Sequence, residues 1–382
     1  MLSGERFQAV YILTGSEEEA LAKARDICLE QTVELPGELI PAGTIRDSVV
    51  GRLESFEPHG DRFRAVVSYA AETAANELTQ LLNVLYGNIS LKPGHRLERM
   101  VLPPSMLGRY RGPRFGISGL RERLGVERRP LLFTALKPMG LSARELAEMA
   151  YQFALGGIDI IKDDHGITDQ CFAPFEERVR LCAEAVSRAN RLMGRRSIYV
   201  ANITSSPRKV FERAALAASA GAGGFLLAPG LAGIDALREI ADDDSLALPI
   251  FSHPAFQGSF VTSRDDGISH YALYGQLSRL AGADAVIYPN FGGRFSFSRE
   301  ECESIAAGTS VEMGAIKPIF PCPAGGMSLD RVPELLEVYG PDVIFLIGGG
   351  LFKHGPDLVE NSRYFREMVE RFAGGKIPNG ES

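Results

Sequence analysis

The run Gly156-Gly157-Ile158-Asp159-Ile160-Ile161-Lys162-Asp163-Asp164-His165 leads a short β-branched segment straight into a lysine, two carboxylates and an imidazole. Its apolar part reads as a strand buried on both faces, as parallel strands are, and such strands carry functional groups at their carboxyl ends. From these residues alone the charges allow two readings. They are a site, or they are a strand-end salt bridge between Lys162 and Asp163 or Asp164.

The same pattern recurs along the chain. Strands are expected at Leu131 to Lys137, Ile158 to Lys162, Ile198 to Ile203, Gly224 to Ala228, Pro249 to His253, Asp284 to Tyr288, Lys317 to Pro321 and Val343 to Ile347. Each is followed by a polar or Gly-rich turn and a helix-length amphipathic segment, and repetition of this unit around a parallel sheet makes a closed (β/α)8 (TIM) barrel. Ser142 and Ser298, each with a glutamate three residues on, read as capping boxes that open two of the helices. The first part of the chain has another order. A strand at Phe7 to Leu13, a helix from the capping signature Ser16-Glu17-Glu18-Glu19 to Glu30, a strand pair at Thr44 to Phe56 and Asp61 to Ala70, and a helix from Ala75 to Leu85 predict a small ferredoxin-like α+β domain. The expected division is residues 1–125 for this domain and 126–382 for the barrel. Lys92 to Arg129 is read as a connector with one short helix near Ile117 to Leu124, and the tail Gly374 to Gly380 as frayed.

Composition excludes several classes of function. With 382 residues, 45% hydrophobic and 23% charged, the chain has an ordinary globular balance, and no apolar run approaches the roughly 18 residues of a membrane span. A net charge of -7 without a dense basic run argues against nucleic acid as a partner. The polar start Met1-Leu2-Ser3-Gly4-Glu5-Arg6 shows no secretory pattern, which makes the cytoplasm the expected address. Cys28, Cys171, Cys182, Cys302 and Cys322 are odd in number and lack C-x-x-C spacing, so neither a disulfide framework nor a thiolate zinc site is expected.

Polar residues gather where barrel strands end. Lys137 ends the first, Lys162 to His165 the second, Asn202 and Thr204 the third and His253 the fifth, all expected at one rim. Gly325-Gly326 follows the seventh strand and Gly348-Gly349-Gly350 the eighth. Those two loops form the usual phosphate site of a barrel, because glycine lets backbone N–H groups approach an anion. A sugar phosphate is the expected small-molecule ligand.

On these residues the chain resembles the large chain of ribulose-bisphosphate carboxylase, and more closely the RuBisCO-like (form IV) proteins. Thr134-Ala135-Leu136-Lys137-Pro138, the Gly156 to Asp164 run, Tyr199-Val200-Ala201-Asn202, Ala324-Gly325-Gly326 and Gly348-Gly349-Gly350 fall in the family's order. The resemblance implies that Lys162 is carbamylated by CO2 and binds Mg2+ with Asp164, and that Lys137 takes part in proton transfer. It also implies that Glu30 and Asn88 of one subunit complete the site of its partner in an antiparallel homodimer. Against the carboxylase pattern, His165 stands where a second metal carboxylate belongs, which shifts preference toward Mn2+ or Zn2+. Pro254 replaces a phosphate-binding arginine after the retained His253, Tyr288 and Ala324 replace polar contacts, and Arg294 stands near the place of the lysine that steadies the carboxylated product. These losses exclude CO2 fixation.

The resemblance leaves an enolase, an isomerase and a decarboxylase branch. Asn88, where the enolase branch has a lysine, argues against the first, and decarboxylation of an oxo sugar-acid phosphate is favoured by a small margin over isomerisation of a keto sugar phosphate. In each the enediolate would be metal-stabilised. Two other classes remain to be weighed. A non-catalytic sugar-phosphate sensor needs only the glycine loops, and an aldolase using Lys162 as a Schiff-base lysine is opposed by the adjacent carboxylates.

Overall fold

Alternation and chain direction sort the strands into two sheets in the computed structural model, which describes residues 2–373. Strands β1 (Arg6–Leu13), β2 (Arg52–His59), β3 (Arg62–Ala70) and β4 (His95–Val101) form an antiparallel sheet in the order β4-β1-β3-β2, the ferredoxin-like arrangement. Helices Glu17–Glu30 and Leu78–Tyr86 bury Ile27, Leu81 and Leu85 in its core. The second sheet starts with β5 (Leu131–Leu136), β6 (Ile160–Asp163), β7 (Ile198–Asn202), β8 (Gly224–Leu227) and β9 (Ile250–Ser252). Next in the chain, β10 (Gly267–Ile268) leaves the barrel and pairs in parallel with β4 of the first sheet. Then β11 (Ala285–Pro289), β12 (Phe320–Ala324) and β13 (Ile344–Leu346) complete eight parallel strands in the order β12-β11-β9-β8-β7-β6-β5-β13, with β12 and β13 side by side at the closure. Among the described residues no helix is long and apolar enough to cross a membrane.

Three expectations are corrected. The strand predicted from Thr44 begins only at Arg52, because Ile45–Val49 winds into a π-helical turn whose Ile45, Arg46 and Asp47 are all exposed and lack alternation. The helix predicted from Ala75 begins at Leu78, since Ala75 and Asn76 take left-handed backbone after a short 3-10 turn. The segment Lys92 to Arg129 is more than a connector, for it contains β4 as well as the short helix Gly116–Leu124. The polar residues His95 and Arg96 hid that strand. Both are buried, and Arg96 is anchored through the carbonyls of Ser263 and Asp266 beside β10. Predicted fraying of Gly374 to Gly380 lies outside the described residues. The capping boxes at Ser16, Ser142 and Ser298 are all formed.

The barrel interior is built from alternate residues such as Leu131, Phe133, Ile160, Val200, Leu226 and Phe251, and Leu120 and Leu124 of the short helix pack into it at the amino-terminal end. The period-two rule then sends Lys162 inward with Ile160, and sends Asp163 outward toward helix Phe175–Met193. There Asp163 Oδ1 accepts from Arg178 Nε at 3.2 Å and Tyr199 OH at 2.7 Å, and Oδ2 accepts from the Asn202 backbone at 3.0 Å. Both charged side chains are fully buried. The other Arg178 nitrogens donate to the Ala173 and Thr168 carbonyls, so the pair also ties down the loop after β6.

Removing one partner strands the other charge in a dry interior. Arg178→Met should destabilise the protein by about 3–5 kcal/mol, whereas Arg208→Met, in an exposed pair with Glu212, should cost less than about 1 kcal/mol. Denaturant unfolding of both variants checks this, and equal losses would contradict it.

Candidate active site

The carboxyl ends of the barrel strands surround a cavity of about 370 Å3. Lys137, Lys162, Asp164, His165, His253, Arg294 and Gly325 all line it. Lys162, at the inward end of β6, is buried and donates to the Asp163 carbonyl at 3.0 Å. Burial lowers its amine to about 8, with Asp164 opposing and Lys137 reinforcing the drop. Lys137 leaves the end of β5 and pairs with Asp164 Oδ1 at 2.9 Å, while His165 Nδ1 lies 3.5 Å from the same oxygen. Burial by itself would raise the Asp164 carboxyl, but the His165 hydrogen bond, Lys162 and Lys137 together hold it well below the usual carboxylate range. The alternative reading of the strand end, a salt bridge between Lys162 and Asp163 or Asp164, is therefore corrected, because Lys162 donates to a backbone carbonyl and both carboxylates take other cations. Asp164 pairs with Lys137, and Asp163 pairs with Arg178 on the outer side.

His253 stacks on His165 with ring centroids 4.5 Å apart. Its Nδ1 accepts from the Ala255 backbone at 3.2 Å, which leaves the proton on Nε2. Burial, with Lys162 and His165 adding to it, pushes its pKa well below the usual imidazole value, so the ring is neutral. Apolar side chains line the cavity as well, among them Ala255, Tyr274, Ile287, Phe295 and Phe297, with Arg294 over the Phe295 ring.

Other expected residues are placed differently. Asn202 does not face the cavity. It is fully buried and donates to the His165 and Ile167 carbonyls, fixing the loop that carries Asp164. Gly326 has a left-handed backbone beneath the loop after β11, where an added Cβ would lie 2.9 Å from the Arg294 backbone nitrogen. Gly348 and Gly349 start the short turn of helix after β13 beside the rim. Gly348 faces the Lys137 side chain, and a Cβ at Gly349 would meet open space. Glu30 and Asn88 are brought together with each other, Asn88 Nδ2 donating to Glu30 Oε1 at 3.1 Å, yet neither lines the cavity of its own chain. Lys92 holds the second Glu30 oxygen at 2.9 Å. Sequence reasoning missed Tyr274, which sits on a π-helical turn (Tyr271–Leu277) that breaks the 3.6-residue period.

The donor set fits a hard cation only with a carbamate on Lys162. Among the described residues no cluster of three or more His, Cys, Asp or Glu is arranged to hold a metal, so the Asp164 oxygen and the His165 nitrogen need a third ligand. Carbamylation requires a neutral amine, and a lysine lowered to about 8 supplies one near neutral pH.

Comparison with known proteins agrees with this geometry. Residues 116–375 match the family model for the ribulose bisphosphate carboxylase large chain, catalytic domain. The chain is 39% identical over 366 residues to ribulose bisphosphate carboxylase-like protein 1 of Rhodopseudomonas palustris, covering 96% of this chain and 98% of that protein. It is 38% identical over 367 residues to the 5-methylthioribulose-1-phosphate isomerase of Rhodospirillum rubrum, covering 96% of each. The crystal structure of a Rubisco-like protein from Rhodopseudomonas palustris superposes with a TM-score of 0.88 at 37% identity, covering 97% of this chain and 99% of that one. The chain belongs to the ribulose-bisphosphate carboxylase large-chain family, among its RuBisCO-like members.

Proposed function

We propose that this protein is a non-carboxylating enzyme that isomerises a mono-phosphorylated keto sugar with an apolar tail, of the 5-methylthioribulose 1-phosphate kind, through an enediolate. The observation that carries the reading is the mixed lining of the cavity. Tyr274, Ile287, Phe295 and Phe297 line it along with the lysines, carboxylate and imidazoles, and Arg294 lies over the Phe295 ring. A thioether tail would be desolvated against those apolar side chains at a gain. The named activity of the Rhodospirillum rubrum relative supports isomerisation over the decarboxylation that the resemblance favoured. Five cysteines without a disulfide are consistent with a cytoplasmic address.

Lys137 reaches the cavity from the end of β5 and is the group to move a proton at the carbon beside the keto group. Neutral His253 offers its Nε2 proton to a substrate oxygen. Backbone N–H groups at Gly325, Gly326, Gly348 and Gly349 are the phosphate donors, and Arg294 overhangs the opening. Family members generally use Mg2+ and a carbamylated lysine. A carbamate on Lys162 with Asp164 and His165 would hold Mg2+, or Mn2+ or Zn2+ given the imidazole, and the bound ion would stabilise charge on the enediolate oxygens. Glu30 and Asn88 would act on the cavity of a second copy in a homodimer.

Incubation of the protein with 5-methylthioribulose 1-phosphate in D2O should exchange the proton beside the keto group and yield the isomer. Tight binding without exchange would overturn the reading in favour of a sensor, and CO2 release from an oxo sugar-acid phosphate would select a lyase instead. Lys162→Ala should abolish turnover and divalent-metal binding with the fold intact, and unchanged activity would refute the site. Because a Cβ at Gly349 meets open space, Gly349→Val should raise KM for the phosphorylated substrate by at least about tenfold with little change in melting temperature. Mixing inactive Glu30→Gln chains with inactive Lys162→Ala chains under exchange should restore about a quarter of wild-type activity, from one repaired site per heterodimer. No recovery after proven exchange would rule out a shared site.

A further inference from the structure

The opposite, amino-terminal end of the barrel holds a larger cavity of about 820 Å3, between the short helix Gly116–Leu124, the loop before β7 and the last helix, Leu358–Ala373. Arg121, Arg195, Arg196 and Arg366 line it together with Asp159. The ion pairs there leave two arginines out, since Arg121 pairs with Asp342. Arg129 grips Asp159 with two bonds of 2.7 Å, and Glu370 is held by Arg366 at 2.8 Å, with Arg129 Nε also 3.6 Å away. Three guanidinium groups, those of Arg129, Arg195 and Arg366, therefore surround two carboxylates.

Arg195 is the one left over. Its single hydrogen bond among the described residues goes to the Leu155 carbonyl at 3.2 Å, so most of its donors have no protein partner. Its guanidinium and the Arg366 side chain press together on Gly157, where an added Cβ would lie 2.4 Å from Arg195 Nη1 and 2.9 Å from Arg366 Cδ. Gly157 has φ +95°, so glycine is required there for backbone reasons as well. Partial burial, with Arg366 adding to it, depresses the Arg195 pKa against the opposing pull of Asp159 and Glu370. Arg196, the next residue, is exposed and makes only a long bond of 3.4 Å to the Glu122 carbonyl. Glu122 and Glu127 also line the cavity, but they are exposed and neither lies within salt-bridge distance of Arg195 or Arg196.

We infer that this cavity is a second ligand site, separate from the catalytic rim, which binds a phosphate-bearing small molecule through Arg195 and Arg196. Guanidinium forks match phosphate oxygens bidentately, and the volume exceeds what orthophosphate fills, so the phosphate belongs to a larger metabolite.

Inorganic pyrophosphate is the probe. Equilibrium dialysis is run on the whole protein in the Gly349→Val background, where phosphate binding at the rim is weakened, and the Arg195 and Arg196 variants report which site holds the pyrophosphate. About one pyrophosphate per chain should bind, and it should raise the melting temperature. Arg196→Gln, which gives up only one long hydrogen bond, should weaken binding by about tenfold without lowering the ligand-free melting temperature. The double variant Arg195→Gln/Arg196→Gln should abolish binding. No binding in the Gly349→Val background, or binding that both variants leave unchanged, would overturn the inference. Either result is independent of whether the rim turns over a methylthio sugar, which the wild-type exchange assay reads separately.

Discussion

A carboxylate buried in the wall of a barrel cannot be left without partners, and Asp163 makes that constraint organise the site. Ionised in an interior where an unpaired charge costs several kcal/mol, it needs a cation and further donors. Arg178, Tyr199 and the Asn202 amide provide them. Each partner has its own surplus valence to satisfy. Arg178 takes the Thr168 and Ala173 carbonyls, and Asn202 takes those of His165 and Ile167. The course of the loop after β6 follows from this accounting, and with it the positions of Asp164 and His165. The chemistry on the inner face of β6 is thus held from the outer face.

Burial sets the electrostatics of the inner face. Lys162 loses hydration and with it part of its basicity, while Asp164, half-enclosed between Lys137, Lys162 and His165, stays ionised. A lysine that can become neutral beside a carboxylate that cannot is the combination that carbamylation and cation binding require.

The barrel and the order of its polar strand ends were legible in the sequence because parallel strands buried on both faces leave continuous apolar runs, although the strand expected at Lys317 to Pro321 runs Phe320–Ala324, where Pro321 and Pro323 interrupt the apolar pattern. Residues whose role depends on a partner remote in sequence were not. Arg178 looks like an ordinary position on an amphipathic helix, and nothing local announces its pairing with Asp163. Asn202 was read as a rim group because it ends a strand, while its amide is consumed by two carbonyls of the neighbouring loop. β4 escaped notice because its buried His95 and Arg96 are polar, Arg96 being held by the Ser263 and Asp266 carbonyls. Tyr274 escaped because a π-helical turn shifts it out of register. Glu30 and Asn88 came only from the family resemblance, and no distance within one chain would bring them to the cavity.

The two-residue strand β10 has a mechanical consequence. It extends the amino-terminal sheet with backbone from the barrel half of the chain, and around it Gly94 donates to Asp266, Gly267 to the Tyr86 hydroxyl and Arg62 to the Arg264 carbonyl. A hinge between the two sheets would have to tear a β-ladder and these bonds together. The chain is consequently stiff between its two lobes, and substrate entry is left to the loops over the rim. In a paired assembly, such stiffness would let one barrel carry its attached Glu30 and Asn88 to a neighbour as a rigid arm.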